Sequence, residues 1–299
     1  MKVLVTGATG FIGSHVATRL ARAGHEVVAT ARDTAKLPSL AAVDGIRLQG
    51  LDLSERVGWT DLLQGCDALV HIALGWGDTG PDMLANDTAA SVALFEAARQ
   101  AGVRRIVYTS STAANGEMTP VNSADRAPRP VDLYGATKAA TEMFARAYAA
   151  TTGMRIHVVR PGYVFGEPAI PGAHAQPDRR FHGICRDVRS GQPVKLVKHD
   201  GTQFLHVQDI SQVYLRLLEH PARFSLHYAL SRDWRSWEWV AKEAMAIAGR
   251  EVPLDIEDLG YGESPFLFDV APLCDDFGLS FGNEERLREH LRWELSIQD

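Results

Sequence analysis

The sequence predicts an α/β fold: a doubly wound parallel sheet with a smaller, discontinuous α+β domain attached. Three observations lead there. Short, near-continuous apolar runs alternate with helix-period segments, as happens when parallel strands are buried on both faces. Glycines stand where the helices should stop. A glycine-rich turn joins the first run to the first helix.

The apolar runs are KVLVT from Lys2, EVVAT from Glu26, IRLQGLD from Ile46, ALVHIA from Ala68, RIVYTSS from Arg105 and RIHVVRP from Arg155. Between them, helical patterns cover about Phe11 to Ala23, TAASVALFEAARQAG from Thr88 and YGATKAATEMFARAYAATTG from Tyr134, ending at Gly24, Gly102 and Gly153. The stretch EPAIPGAHAQPDRR from Glu167 is rich in Pro and Gly and has no clear period, so a loop-rich region starts there. A helix over VQDISQVYLRLLEH and a strand over FSLHYAL return to the sheet, and the tail from Ser231 mixes helices with irregular segments. The expected division is residues 1–165 with 204–230 for the dinucleotide-binding domain, and 166–203 with 231–299 for the smaller one.

With 45% hydrophobic and 23% charged residues over 299 positions, the composition is that of an ordinary globular chain. A formal charge of -6 and the lack of any Lys/Arg-rich run argue against a nucleic-acid surface and leave a small molecule as the expected partner. Cys66, Cys185 and Cys274 are far apart without metal-ligand spacing, so no metal is expected and the three read as core thiols of a reducing cytoplasm. No signal-peptide pattern opens the chain, and no apolar run approaches the roughly 18 residues of a membrane span.

The turn VLVTGATGFIG places Gly7, Gly10 and Gly13 after a strand and at the opening of a helix. Such glycines allow a tight turn, close approach to a pyrophosphate and close helix packing, with the helix N-terminus facing the phosphates: the dinucleotide loop of a Rossmann sheet. An acidic residue at the end of the second strand would mark NAD, but the chain reads Ala31, Arg32, Asp33 there. An arginine at that point can pair with a 2′-phosphate, which favours NADP; Asp33 reaching the ribose instead would restore NAD.

Tyr134 and Lys138 lie four residues apart in one helical pattern and so share a face. A phenol with a pKa of about 10 is a poor base at neutral pH, and a nearby ammonium together with an oxidised nicotinamide would stabilise its phenolate. Thr109, Ser110, Ser111 and Thr112 end a buried strand at the carboxyl edge of the sheet, where doubly wound folds bind ligands.

Taken together, TGxxGxxG (Thr6 to Gly13), Asp52-Leu53, His71 to Ala73, Asn86, the TSS strand end, YxxxK and FLHVQD (Phe204 to Asp209) resemble the extended branch of the short-chain dehydrogenase/reductase superfamily. The resemblance implies Ser111 as the hydroxyl that bonds the substrate oxygen, with Ser110 as competitor, Tyr134 as acid-base, and Lys138 as the group that lowers its pKa and bonds the nicotinamide ribose. It also implies cofactor contacts from Gly7, Thr9, Gly10, Phe11, Ile12, Gly13, Arg32, Asp52, Leu53 and Ala73, and from Tyr163 and Val164 beside the nicotinamide. Homodimers paired through the YxxxK helix and residues 87–101 are expected on the same ground.

Hydride transfer to or from a hydroxyl or carbonyl carbon is the chemistry such a set supports. Thr112 and Ala113 follow Ser111 where the dehydratases carry an extra acid and base, so dehydration is not expected. The epimerases' arginine before the FLHV-like segment is replaced by Thr202-Gln203, and no Lys or Arg occurs from Glu251 to Glu285. Arg179, Arg180 and Arg186 are the remaining candidates for holding a diphosphate. An NAD(P)-dependent oxidoreductase of a small substrate is therefore the first expectation, with Trp76, Tyr163, Phe165, Phe181 and Phe204 as candidate pocket aromatics, about half of them core. A nucleotide-sugar epimerase with tightly bound cofactor and a non-catalytic NADPH sensor are the alternatives.

Overall fold

Seven strands, β1 (Lys2–Thr6), β2 (Glu26–Ala31), β3 (Ile46–Gly50), β4 (Ala68–His71), β5 (Arg105–Thr109), β6 (Arg155–Pro161) and β7 (Phe224–Ala229), make one sheet in the order β7-β6-β5-β4-β1-β2-β3. Every pairing in it is parallel. The structure, a computed structural model, describes residues 1–297.

The main helices are α1 (Phe11–Arg22), α2 (Ala90–Gln100), α3 (Leu133–Thr152), α4 (Arg180–Ser190), α5 (Val207–Glu219), α6 (Trp237–Ala248) and α7 (Glu284–Ser296). Strand side chains alternate between faces, and both faces are covered. Val3 and Val5 pack with α1 and α5, whereas Leu4 packs with α2 and α3. That is why β1 reads as a continuous apolar run. Gly24, Gly102 and Gly153 follow α1, α2 and α3 with φ of 86°, 82° and 73°, the left-handed conformation that stops a helix.

One helix departs from its sequence pattern. A short helix, Gly80–Met83, continues into a π-helical turn over Leu84–Ala89, and only then does α2 begin. The wider turn carries Asp87 into the interior.

A third apolar core lies beyond the sheet. Phe165, Phe181, Cys185 and Phe204 meet Trp237, Leu287 and Leu291, so the segment after β6 and the tail fold together. Glu167 joins this body to the sheet: its carboxylate meets His206 Nε2 at 3.3 Å and His290 Nδ1 at 3.1 Å, and its carbonyl accepts from His15 Nε2 at 2.9 Å. Cys66 and Cys185 are buried, but Cys274 is exposed, correcting the expectation of three core thiols: it sits on the short helix Ala271–Phe277, where Leu273 takes the buried position. Among the described residues no helix is long and apolar enough to cross a membrane.

Three interior histidines set a pH dependence. Burial pushes His15 down to about 4, and His71 and His157 down to about 3. An unfolded imidazole titrates near about 6.5, so below that pH the unfolded chain binds more protons than the folded one. Stability present above pH 6.5 is thus lost as the pH falls toward the folded values. The urea midpoint, followed by tryptophan fluorescence, is expected to be flat above about pH 7 and to drop continuously from about pH 6.5 to pH 4; a flat midpoint down to pH 5 would mean that these rings are charged in the fold.

Candidate active site

Strands β1 and β4 are neighbours whose following chains diverge to opposite sides, the crevice where such sheets bind ligands. Thr6 Oγ1 ties their ends together, accepting from the Ile72 and Ala73 amides at 3.1 and 3.2 Å and bonding His71 Nδ1 at 2.7 Å. The loop after β1 then folds tightly over the start of α1. A Cβ on Gly13 would lie 2.1 Å from the Gly7 carbonyl, and one on Gly7, at φ 68°, would lie 2.8 Å from the Ala73 amide. The glycines thus bring backbone and helix N-terminus to the floor of the crevice.

That crevice is a cleft of 620 Å³. Gly7, Thr9, Gly10, Phe11, Ile12, Gly13, Arg32, Leu53 and Ala73 line one side, and Ser111, Tyr134, Lys138, Tyr163 and Val164 line the other. The structure therefore brings together the residues that the resemblance assigns to catalysis and to cofactor contact, with one exception. Asp52 turns back on its own chain, accepting from the Ser54 amide at 2.8 Å and its hydroxyl at 2.7 Å, and is absent from the lining. Asp33 is likewise used locally, capping a short turn through the Ala35 amide at 2.9 Å. Arg32 faces the cleft and makes no hydrogen bond or ion pair among the described residues.

Helix α3 carries the reactive face. Asp132 caps it, accepting from the Gly135 amide at 2.6 Å. Gly135 packs so closely on the turn after β5 that a Cβ there would be 2.4 Å from the Ala113 carbonyl. Tyr134 is thereby set beside Ser111, and Lys138 Nζ lies 5.8 Å from the Tyr134 ring centroid. One turn further along the same face, Glu142 receives Arg160 in a bidentate pair at 2.8 and 2.6 Å, both groups fully buried. Ser110 donates to the same carboxylate, while Arg160 donates to Tyr228 Oη at 3.0 Å and Tyr228 to Asn115 Oδ1 at 2.9 Å.

This network separates the two competing serines. Ser110 is committed to Glu142, whereas the Ser111 oxygen accepts from the Ala113 amide at 3.1 Å and keeps its own hydrogen for the cleft. Burial raises the Tyr134 pKa, with Ser111 pulling it down and Asp87 pushing it up. Lys138, expected to lower it with the cofactor bound, is paired with Asp87 at 3.3 Å.

The aromatic set divides. Phe165, Phe181 and Phe204 are core, Tyr163 stands on them and lines the cleft, and Trp76 is exposed at the rim with its ring 6.3 Å from that of Tyr134. Asp87, Glu142, Arg160 and the lining residues Gln176 and Asp178 were not legible as site residues. For Glu142 a signal existed: it continues the spacing of Tyr134 and Lys138 along one helix face.

Residues 3–229 match the NAD dependent epimerase/dehydratase family. The chain belongs to that family. The dTDP-4-dehydro-6-deoxy-D-allose reductase of Streptomyces bikiniensis is 30% identical over 271 residues, 83% of this chain and 81% of that one. The dihydroflavonol 4-reductase of Zea mays is 27% identical over 260 residues, 77% and 70% of the two chains. Among solved structures, the UDP-glucuronic acid 4-epimerase of Bacillus cereus in complex with NAD superposes with a TM-score of 0.84 at 22% identity, covering 98% of this chain and 96% of that one. The epimerase/dehydratase family thus holds both reductases and epimerases, so the reaction must be read from the cleft.

The buried pair beneath the site can be tested directly. Removing one partner strands the other's charge, so Glu142→Gln is expected to lower unfolding free energy by about 3–5 kcal/mol, whereas Glu142→Leu with Arg160→Met recovers most of it. Urea denaturation of the three proteins checks this; equal stability of the single variant and the wild type would show that the pair is not held as described.

Proposed function

We propose that the protein is an NADP-dependent oxidoreductase of a small, uncharged hydroxyl or carbonyl compound, working with Tyr134 as acid-base. The observation that supports it above the others is one cleft with the glycine loop on one wall and Ser111, Tyr134 and Lys138 on the other. When bound, the nicotinamide supplies or accepts the hydride. Gly7, Gly10, Gly13 and the α1 N-terminus suit its pyrophosphate, since a Cβ at Gly7 or Gly13 would collide with the backbone of the Ala73 strand end or of the loop itself and force this tight turn open. Arg32, free at the end of β2, suits a 2′-phosphate, and Asp33 is already occupied by its own turn.

In reduction, Ser111 donates a hydrogen bond to the substrate oxygen. The Tyr134 O–H bond then breaks, its proton going to that oxygen as the hydride arrives at carbon, and solvent returns a proton to the phenolate. Lys138 would hold the nicotinamide ribose.

The charged residues lining the cleft are Arg32, Lys138 and Asp178. At the substrate end that leaves a carboxylate and no arginine, a poor setting for a diphosphate. Arg180 is taken by Asp200 at 2.9 Å and lies over the Trp237 ring, and Arg186 is paired with Asp187 at 2.8 Å. The apolar rim of Leu74 and Trp76 suits a substrate with an apolar body. Leu133, Met143 and Phe144 expose apolar surface on α3, which suits the expected homodimer.

Three measurements bear on this reading. With a panel of aldehydes and ketones, NADPH oxidation is expected, and Tyr134→Phe is expected to reduce kcat by about 100-fold or more while cofactor affinity stays within about twofold. Arg32→Ala should weaken NADPH by on the order of 10- to 100-fold and leave NADH unchanged. The epimerase alternative predicts instead that UDP or dTDP adds a thermal shift on top of NADH; the present reading predicts none.

A further inference from the structure

Nothing in the sequence singles out Asp87, yet it is the residue that meets the lysine of the site. It lies in the π-helical turn Leu84–Ala89, a wider turn that often marks a functional position. Its carboxylate is 1% exposed and the Lys138 side chain 3%. Asp87 Oδ1 stands 3.3 Å from Lys138 Nζ and accepts from the Gly75 amide at 3.4 Å, while Oδ2 has no hydrogen-bond partner among the described residues. The lysine's other contact is the Thr109 carbonyl at 3.5 Å.

We infer that Asp87 is the counter-ion of Lys138 and sets the direction in which the site works: it neutralises the lysine's field so that Tyr134 stays a protonated phenol at neutral pH, poised to give a proton rather than to take one. This rests on the proposed oxidoreductase reading. A buried ammonium with no partner would either lose its proton or draw the neighbouring phenol into its phenolate. Burial pushes the Lys138 pKa down, and Asp87, 3.3 Å away, pushes it back up.

The surrounding groups leave that task to Asp87. On α3, Asp132 caps the helix and Glu142 is held by Arg160 and Ser110. On β5, Tyr108 presents its ring 5.4 Å from Nζ. On β4, His71 is neutral, bonded to Thr6 and to Ser91 at 2.9 Å, and on α5 Tyr214 is bonded to Thr109 at 2.7 Å. The remaining charged groups lining the cleft, Arg32 and Asp178, make no hydrogen bond or ion pair with Lys138 among the described residues.

The test is an ultraviolet absorbance titration of tyrosinate in the full-length, cofactor-free protein, with the matching Tyr134→Phe protein subtracted to isolate one phenol. Asp87→Asn is expected to move the Tyr134 ionisation down by about 1–3 pH units, a tenfold or greater rise in phenolate at a given pH. In the loaded enzyme, alcohol oxidation should then set in at correspondingly lower pH. Lys138→Met, which leaves the carboxylate unopposed, should move the ionisation up, and it keeps the question answerable if Asp87→Asn does not fold. An ionisation that is the same in wild type and in either folded variant overturns the inference. A shifted ionisation in a protein that turns over no carbonyl compound upholds the counter-ion and removes the oxidoreductase reading instead.

Discussion

The ion pair between Glu142 and Arg160 is the constraint on which the site depends. Arg160 comes from the end of β6, Glu142 from α3 and Ser110 from the end of β5, so one buried carboxylate joins three elements that the sequence keeps apart. A bidentate guanidinium and carboxylate have essentially one geometry, which fixes both the rotation and the height of α3 over the sheet. Tyr134 and Lys138 sit two turns and one turn before Glu142 on the same face and inherit that placement. Such a pair adds little net stability compared with apolar residues of the same volume; what it adds here is orientation. Since the same carboxylate removes Ser110 from competition, the choice of Ser111 and the position of Tyr134 have a common cause.

The other half of the cleft follows from the sheet order. Reversal of the strand sequence between β1 and β4 opens a crevice at their carboxyl ends, and Thr6 keeps the two ends in register while the chains separate. Glycine at positions 7 and 13 then lets backbone occupy space that any side chain would fill. The third core, built on Phe165, Phe181, Phe204 and Trp237, supports Tyr163 from beneath and so completes the wall opposite the loop.

Most of this was legible in the sequence, for identifiable reasons. The strands are apolar on both faces, the helices end at glycines, and the loop glycines have spacing that few other demands produce. Fourteen of the fifteen residues expected to bind cofactor or substrate line the cleft; Asp52 does not, because a carboxylate two residues before Ser54 closes a local turn more readily than it reaches across space. The π-helical turn was invisible, since its residues fit an ordinary helical pattern and only tertiary packing favours the wider turn. Asp87, Glu142 and Arg160 were missed for a related reason: each looks like a surface charge until the partner, 18 to 51 residues away, is known. Cys274 erred the other way, an apolar-looking residue on the exposed side of a short helix.

Charge placement in the cleft then bears on what it can hold. Arg32 follows the end of β2 and Asp178 stands in the loop before α4, and both line the cleft. Between them Lys138 is buried and paired with Asp87 at 3.3 Å. A diphosphate or a carboxylate brought there would meet Asp178 and find no arginine to replace its lost hydration, at a cost that neutral donors do not offset. A neutral carbonyl compound loses little on entering and gains Ser111 and Tyr134 at its oxygen and Trp76 and Leu74 along its body. On the proposed reading, a cleft that keeps its lysine paired is matched to a substrate that carries no charge of its own.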